Sequence, residues 1–180
     1  MSRIFDNIRQ VGYVTPDLQT SMRFLIEKAG IGPWFVAERV PIRNCTYRGK
    51  PIELEMSVAL ANSGSLQVEL IEQLNDVPSI YTEWLSVYPN GDVPQHYSSW
   101  SERYDDVYAA ALRLGFEAVQ EGRSGYGPFV YFRHPQNPAF VYEVTAFTRP
   151  RRRMFEQIAD AAAGWDGKDA VRAGWPNPDD

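Results

Sequence analysis

One cysteine and two histidines are all that this chain of 180 residues holds of the softer metal-binding side chains. Cys45, being alone, closes no intramolecular disulfide and completes no Cys-x-x-Cys pair, which excludes thiolate metal sites and disulfide scaffolds. Long apolar runs are missing too. No stretch approaches the roughly 18 residues that cross a bilayer. The opening MSRIFDNIRQ has no apolar core or small-residue cleavage site, so an export signal is not expected and the cytoplasm is the expected compartment. Nor is there an excess of positive charge: a formal net charge of −5 provides no overall field for nucleic acid. The expected partner is a small molecule, with neither nucleic acid nor membrane involved.

What the chain does contain is a repeat. The length suits one ordinary domain, or two small modules that share a core. RQVGYVTPDLQTSMRFLIEKAGI reads as a strand, a turn at Thr15-Pro16-Asp17 and a helix that stops at Gly30. QHYSSWSERYDDVYAAALRLGF reads the same way, with Asp105 or Asp106 opening the helix and Gly115 ending it. Gln10 precedes its helix stop by 20 residues and His96 by 19, so the halves match in register. Three strand-like runs follow each helix, near 34–39, 53–61 and 65–72, then near 117–121, 128–133 and 139–147. Both halves spell βαβββ.

The expected fold is therefore α+β: a first module over 1–78, a linking helix in 79–92, and a second module over 93–148. Residues 149–180 add a C-terminal helix ending at Gly164 and an irregular tail, all in one compact domain.

Alternation along strands places the polar residues. In LQVELIEQ, Gln67, Glu69 and Ile71 share one face and Leu66, Val68 and Leu70 the other. In FVYEVTAF, Glu143 lies with Val141 and Thr145. Gln10 lies with Ile8, Gly12 and Val14, and His96 with Ser98 and Trp100. One such strand would read as half-solvated sheet. Four in related places, with apolar neighbours on the same face, point to a partly enclosed cavity, where carboxylates cost several kcal/mol unless a charge compensates them. A divalent cation would do so.

The segments RQVGYVTPDL, LQVELIEQLNDVPSIYTEWL, PQHYSSW and NPAFVYEVTAF, in this paired order, resemble the vicinal oxygen chelate superfamily over residues 8–148. The branch they resemble most holds methylmalonyl-CoA epimerases and glyoxalase-like proteins. The resemblance implies a curved mixed sheet around one divalent metal ion held by Gln10, Glu69, His96 and Glu143. One nitrogen and three oxygens suit Mn, Co, Ni, Zn or Mg, with two positions open for a bidentate substrate. It further implies that Glu143, or Glu55 on the first half's middle strand beside Glu53, removes a proton next to a metal-polarised carbonyl.

Gln10 stands where the epimerases carry histidine. Val14 stands where glutathione-type glyoxalases carry an arginine, which disfavours glutathione. Trp100, Ser98 and Val14 are the substrate-lining candidates. His134, in FRHPQNP, reads as a surface-loop residue, so the two-histidine iron site of the extradiol dioxygenases is disfavoured. Arg149 to Arg153 read as a solvated face or as a phosphate contact to a CoA tail. The implied activity is that of an epimerase or isomerase. The alternatives are a glyoxalase-type lyase and a non-catalytic binding protein like the antibiotic-sequestering members, and a homodimer is common in the family.

Overall fold

The computed structural model describes residues 2–177. The first half runs β1 (Ile8–Val14), α1 (Leu18–Ala29), β2 (Trp34–Ala37), β3 (Arg43–Tyr47), β4 (Lys50–Pro51), β5 (Met56–Ser63) and β6 (Leu66–Gln73). After α2 (Ile80–Val87), the second half runs β7 (Pro94–Ser101), α3 (Tyr104–Arg113), β8 (Glu117–Ser124), β9 (Gly127–His134) and β10 (Asn137–Ala146). Helix α4 (Arg149–Ala163) and β11 (Val171–Ala173) follow.

All the strands join one curved sheet in the order β11-β2-β5-β6-β1-β7-β10-β9-β8-β3-β4. Its centre shows the repeat. β1 pairs in parallel with β6 as β7 does with β10, and the halves meet where β1 and β7 run antiparallel. The fold class is the expected one.

Helix boundaries follow local chemistry. Asp17 accepts a hydrogen bond from the Thr20 backbone at 2.9 Å to open α1. Gly30 ends it at a φ of 66°, where a side chain would be strained. α2 opens on a capping box between Ser79 and Thr82. α3 begins at Tyr104, one residue ahead of the expected aspartates, which sit in its first turn where the helix dipole favours them. No helix among the described residues is long and apolar enough to cross a membrane.

Four strands depart from expectation. The short, polar β3 and β4 leave the first half and extend the second through β8. In the tail, expected to be irregular, β11 pairs in parallel with β2. β5 starts at Met56 rather than near 53, because Asn75 bonds the Glu53 carbonyl at 2.7 Å and the Glu55 amide at 3.3 Å in place of ladder partners.

Helix α1 covers the outer face of the first half, where Leu18 and Met22 pack on Val68 and Leu70. α3 does the same for the second, with Val107 and Ala111 on Val130 and Val144. The inner face is closed by α2 and α4. Glu83 of α2 ties that helix to the sheet: Arg133 donates to it at 2.6 Å, Arg48 at 3.1 Å, and Tyr47 donates a short bond. Partial burial pushes its carboxyl up, but these bonds outweigh burial and hold it at about 2.

An acid depressed in the folded state stabilises above its unfolded pKa and ceases to as pH falls through the folded one. The stability difference between wild type and Glu83→Gln is therefore expected to be full well above pH 4.5 and to vanish as pH falls towards 2. Chemical denaturation at about pH 7 and about pH 3 measures it, and an equal difference at both would refute the assignment.

Candidate metal centre

Four adjacent central strands, β6, β1, β7 and β10, carry the polar residues that alternation had put on one face. Register turns the strands into two rows. Gly12 of β1 stands opposite both Glu69 and His96. In the next row Gln67, Gln10, Ser98 and Glu143 follow one another across the strands.

Glu69, His96 and Glu143 offer ligand atoms that all lie within 4.8 Å of one another. His96 Nε2 is 3.2 Å from Glu69 Oε2 and 3.6 Å from Glu143 Oε2. Donors around one ion at about 2.1 Å stand roughly 3 to 4 Å apart, so these two separations are those of a first coordination shell.

His96 is fully enclosed, and Gly12 makes that possible: a Cβ there would sit 1.9 Å from His96 Cε1. The ring is oriented by Gln95, whose Oε1 accepts from Nδ1 at 2.7 Å. Nε2 then presents its lone pair to the two carboxylates. Both His96 Nε2 and Glu69 Oε2 are buried without a hydrogen-bond partner, a cost that a cation would remove. Burial raises the Glu143 carboxyl; His96 opposes this and the nearby Glu69 charge reinforces it. This Glu-His-Glu group could hold a metal ion.

Gln10 lines the same cavity; its Nε2 donates to Gln67 Oε1 at 2.8 Å, which leaves its own oxygen for a cation. The cavity is about 60 Å³, room for a few waters or a small acyl group. Its wall is mostly apolar, with Met56, Val58 and Leu60 from β5 and Met154 and Phe155 from α4. Tyr81 and Tyr131 also line it, joined by a 3.0 Å bond from the Tyr81 hydroxyl to the Tyr131 oxygen. Burial keeps both phenols protonated, well above their usual range.

The other sequence candidates fare unequally. Ser98 is buried beside Glu143. Glu55 is not brought to the cavity: it lies before β5, half-exposed and paired with Arg39, on the face opposite Met56, Val58 and Leu60. Glu53 is also exposed and lies before β5. Trp100 shares the inner face but packs on Phe147 and Phe155 at 5.5 and 4.3 Å, beside an outer groove rather than under the cavity. Val14 is wholly buried core. His134 is the last residue of β9 rather than a loop residue; it bonds the Leu114 carbonyl at 3.2 Å, away from the Glu-His-Glu group.

The arginine run divides. Arg152 pairs with Glu102 on the surface. Arg151, expected to be solvated or to meet phosphate, is 5% exposed and lines the cavity. Its guanidinium bonds the carbonyls of Ala146, Pro128 and Gly127 and the Ser124 hydroxyl, at 2.7 to 3.2 Å. Sequence reasoning missed Arg151, Gln95, Tyr81 and Tyr131. Of these only Tyr131 carried a signal, its alternation with Phe129 on β9.

A family model described as the Glyoxalase/Bleomycin resistance protein/Dioxygenase superfamily matches residues 9–132. Among solved structures, a selenomethionine methylmalonyl-CoA epimerase is similar at 18% identity and a TM-score of 0.53, over 82% of this chain and 99% of its own. The Mycobacterium tuberculosis methylmalonyl-CoA epimerase gives 14% and 0.55, over 82% and 92%. A hypothetical protein from Bacillus halodurans gives 12% and 0.56, over 78% and 93%. No curated protein matches by sequence. At these identities the structural likeness concerns the fold.

Proposed function

Because the chain belongs to the glyoxalase/bleomycin resistance protein/dioxygenase superfamily, the vicinal oxygen chelate proteins, we propose that it is a metal-dependent enzyme that moves a proton next to a carbonyl or thioester of a small molecule. The observation that carries this reading is the convergence of Glu69, His96 and Glu143 with two of their polar atoms buried and partnerless. Gln10 completes the proposed ligand set. A bound divalent ion would polarise the substrate carbonyl and stabilise the charge that develops on its oxygen.

Glu143 takes the proton from the neighbouring carbon, since its carboxylate lines the cavity where the substrate's reacting head would lie. An opposing carboxylate on β5 has no support, because that strand turns Met56, Val58 and Leu60 to the cavity. Tyr131 is the proton donor instead. Its hydroxyl lines the cavity and shares a 3.0 Å hydrogen bond with that of Tyr81, and Glu143 stands directly across the ladder from it. Return of the proton from Glu143 to Tyr131 resets both groups. The methylmalonyl-CoA epimerases of the same fold make acyl-CoA thioesters the first substrates to try. The absence of a second cavity carboxylate on β5 also favours the one-base chemistry of a glyoxalase-type lyase.

Solvent deuterium wash-in tests this directly. Metal-loaded protein is expected to label the carbon next to the carbonyl of an acyl-CoA or an α-substituted ketone. Tyr131→Phe is expected to slow net isomerisation about 100-fold while leaving most of the wash-in, since general-acid contributions are of this order. Absence of label in every such substrate would sink the reading.

A further inference from the structure

The cavity lined by Glu69 and Glu143 adjoins a wider groove. This outer groove of about 600 Å³ shares Val40, Ser124, Tyr126 and Trp175 with it. The inner space is a tenth of that size. A molecule reaching the group from this side leaves most of itself in the groove.

Arg43 and Arg123 line the groove and face each other across the β3–β8 ladder. Like charges so placed destabilise a sheet unless something neutralises them. Arg39, Arg48, Arg103, Arg133 and Arg152 each sit on an acid. Arg43 and Arg123 make no such pair, nor do other exposed arginines such as Arg23 and Arg113, but these two line the groove, together with Glu38. A third positive charge stands behind them. Arg151 bonds Ser124 and Gly127, close along the chain from Arg123, and lines the inner cavity. The guanidiniums thus lead from the surface inward in a chain whose net charge is −5, and such local fields draw oppositely charged ligands into clefts.

We propose that this groove is an oxyanion site, in which Arg43 and Arg123 grip the anionic handle, phosphate or carboxylate, of a substrate whose small reacting head enters the inner cavity. This rests on the proposed metal reading only for where the head goes. A forked guanidinium pair matches either oxyanion with two-pronged hydrogen bonds.

Calorimetric titration of protein stripped of metal and then dialysed free of chelator, at low salt, isolates the groove from the metal centre. Inorganic pyrophosphate and succinate serve as probes. At least one is expected to bind, and the one that binds names the handle. The double variant Arg43→Gln/Arg123→Gln is expected to weaken binding by at least about tenfold, the scale of losing charge-assisted hydrogen bonds. Arg152→Ala, on a different face, is expected to change nothing. Both replaced side chains are exposed and face each other as like charges, so the variant should melt no lower than wild type and keep its metal content. Binding of neither probe, or equal binding by the double variant, overturns the proposal. Metal bound normally with no anion bound would sink the groove alone; anion bound with no metal would sink the metal centre alone.

Discussion

Protein purified without chelator is expected to carry about one divalent transition-metal ion per chain, and His96→Ala to carry almost none while remaining folded. His96 is the only nitrogen donor in the group, and borderline ions such as Zn, Co and Ni bind imidazole in preference to a site of oxygens alone. Removing it also leaves Glu69 and Glu143 facing each other in a closed space. Two carboxylates so placed take up a proton, which lowers their affinity for any cation. Deuterium wash-in should fall with the metal, by on the order of 1,000-fold, because carbonyl polarisation and base catalysis are lost together. Elemental analysis and the exchange assay on the same preparation measure both. Full metal content in the variant would show that the Glu-His-Glu group does not hold the ion.

Gly12→Ala should act on the same centre without touching a ligand. In most strands a glycine-to-alanine change is mildly stabilising, by about 0.4 to 1 kcal/mol, since it restricts the unfolded chain. Gly12 has no positive φ that would make alanine strained in itself. The obstacle is the His96 ring: the new Cβ would lie 1.9 Å from Cε1 and 2.3 Å from Nε2. That ring cannot retreat freely, because Tyr131 packs edge-on against it at 5.1 Å and Gln95 holds Nδ1. Overpacking of this kind costs about 1 to 3 kcal/mol. A displaced ring aims Nε2 away from the carboxylates, so metal affinity should drop about 100-fold, the scale seen when groups that orient ligands are lost. Urea denaturation and metal titration give the two numbers. A more stable variant with unchanged metal affinity would show that Gly12 is not the space reserved for the imidazole.

The fold and the faces were largely legible in the sequence. A period of two needs no knowledge of neighbours, so LQVELIEQ and FVYEVTAF disclose which side of the sheet Glu69 and Glu143 occupy. The matched distances from Gln10 to Gly30 and from His96 to Gly115 disclose the repeat in the same way. Glu55 shows where this reasoning weakens. In IELEMSVAL alternation sets Glu53, Glu55 and Ser57 on one face and Leu54, Met56 and Val58 on the other, but could not say which one meets the cavity. Arg151 shows a second weakness. A basic run looks solvated in any sequence, and only the carbonyls collected from the β9 and β10 ends make burial of its charge tolerable.

The sequence by itself determined the α+β architecture, the paired βαβββ plan and the side of each central strand that bears a polar group, because these depend on periodicity and on turn chemistry within a few residues. Tertiary structure alone decided depth and adjacency: that Gly12 stands opposite both Glu69 and His96, that Glu55 lies off the site, and that Arg43 of β3 crosses over to face Arg123. Such contacts join residues far apart in the chain. They are set by strand register and by how helix α4 closes the inner face, and no local pattern encodes either.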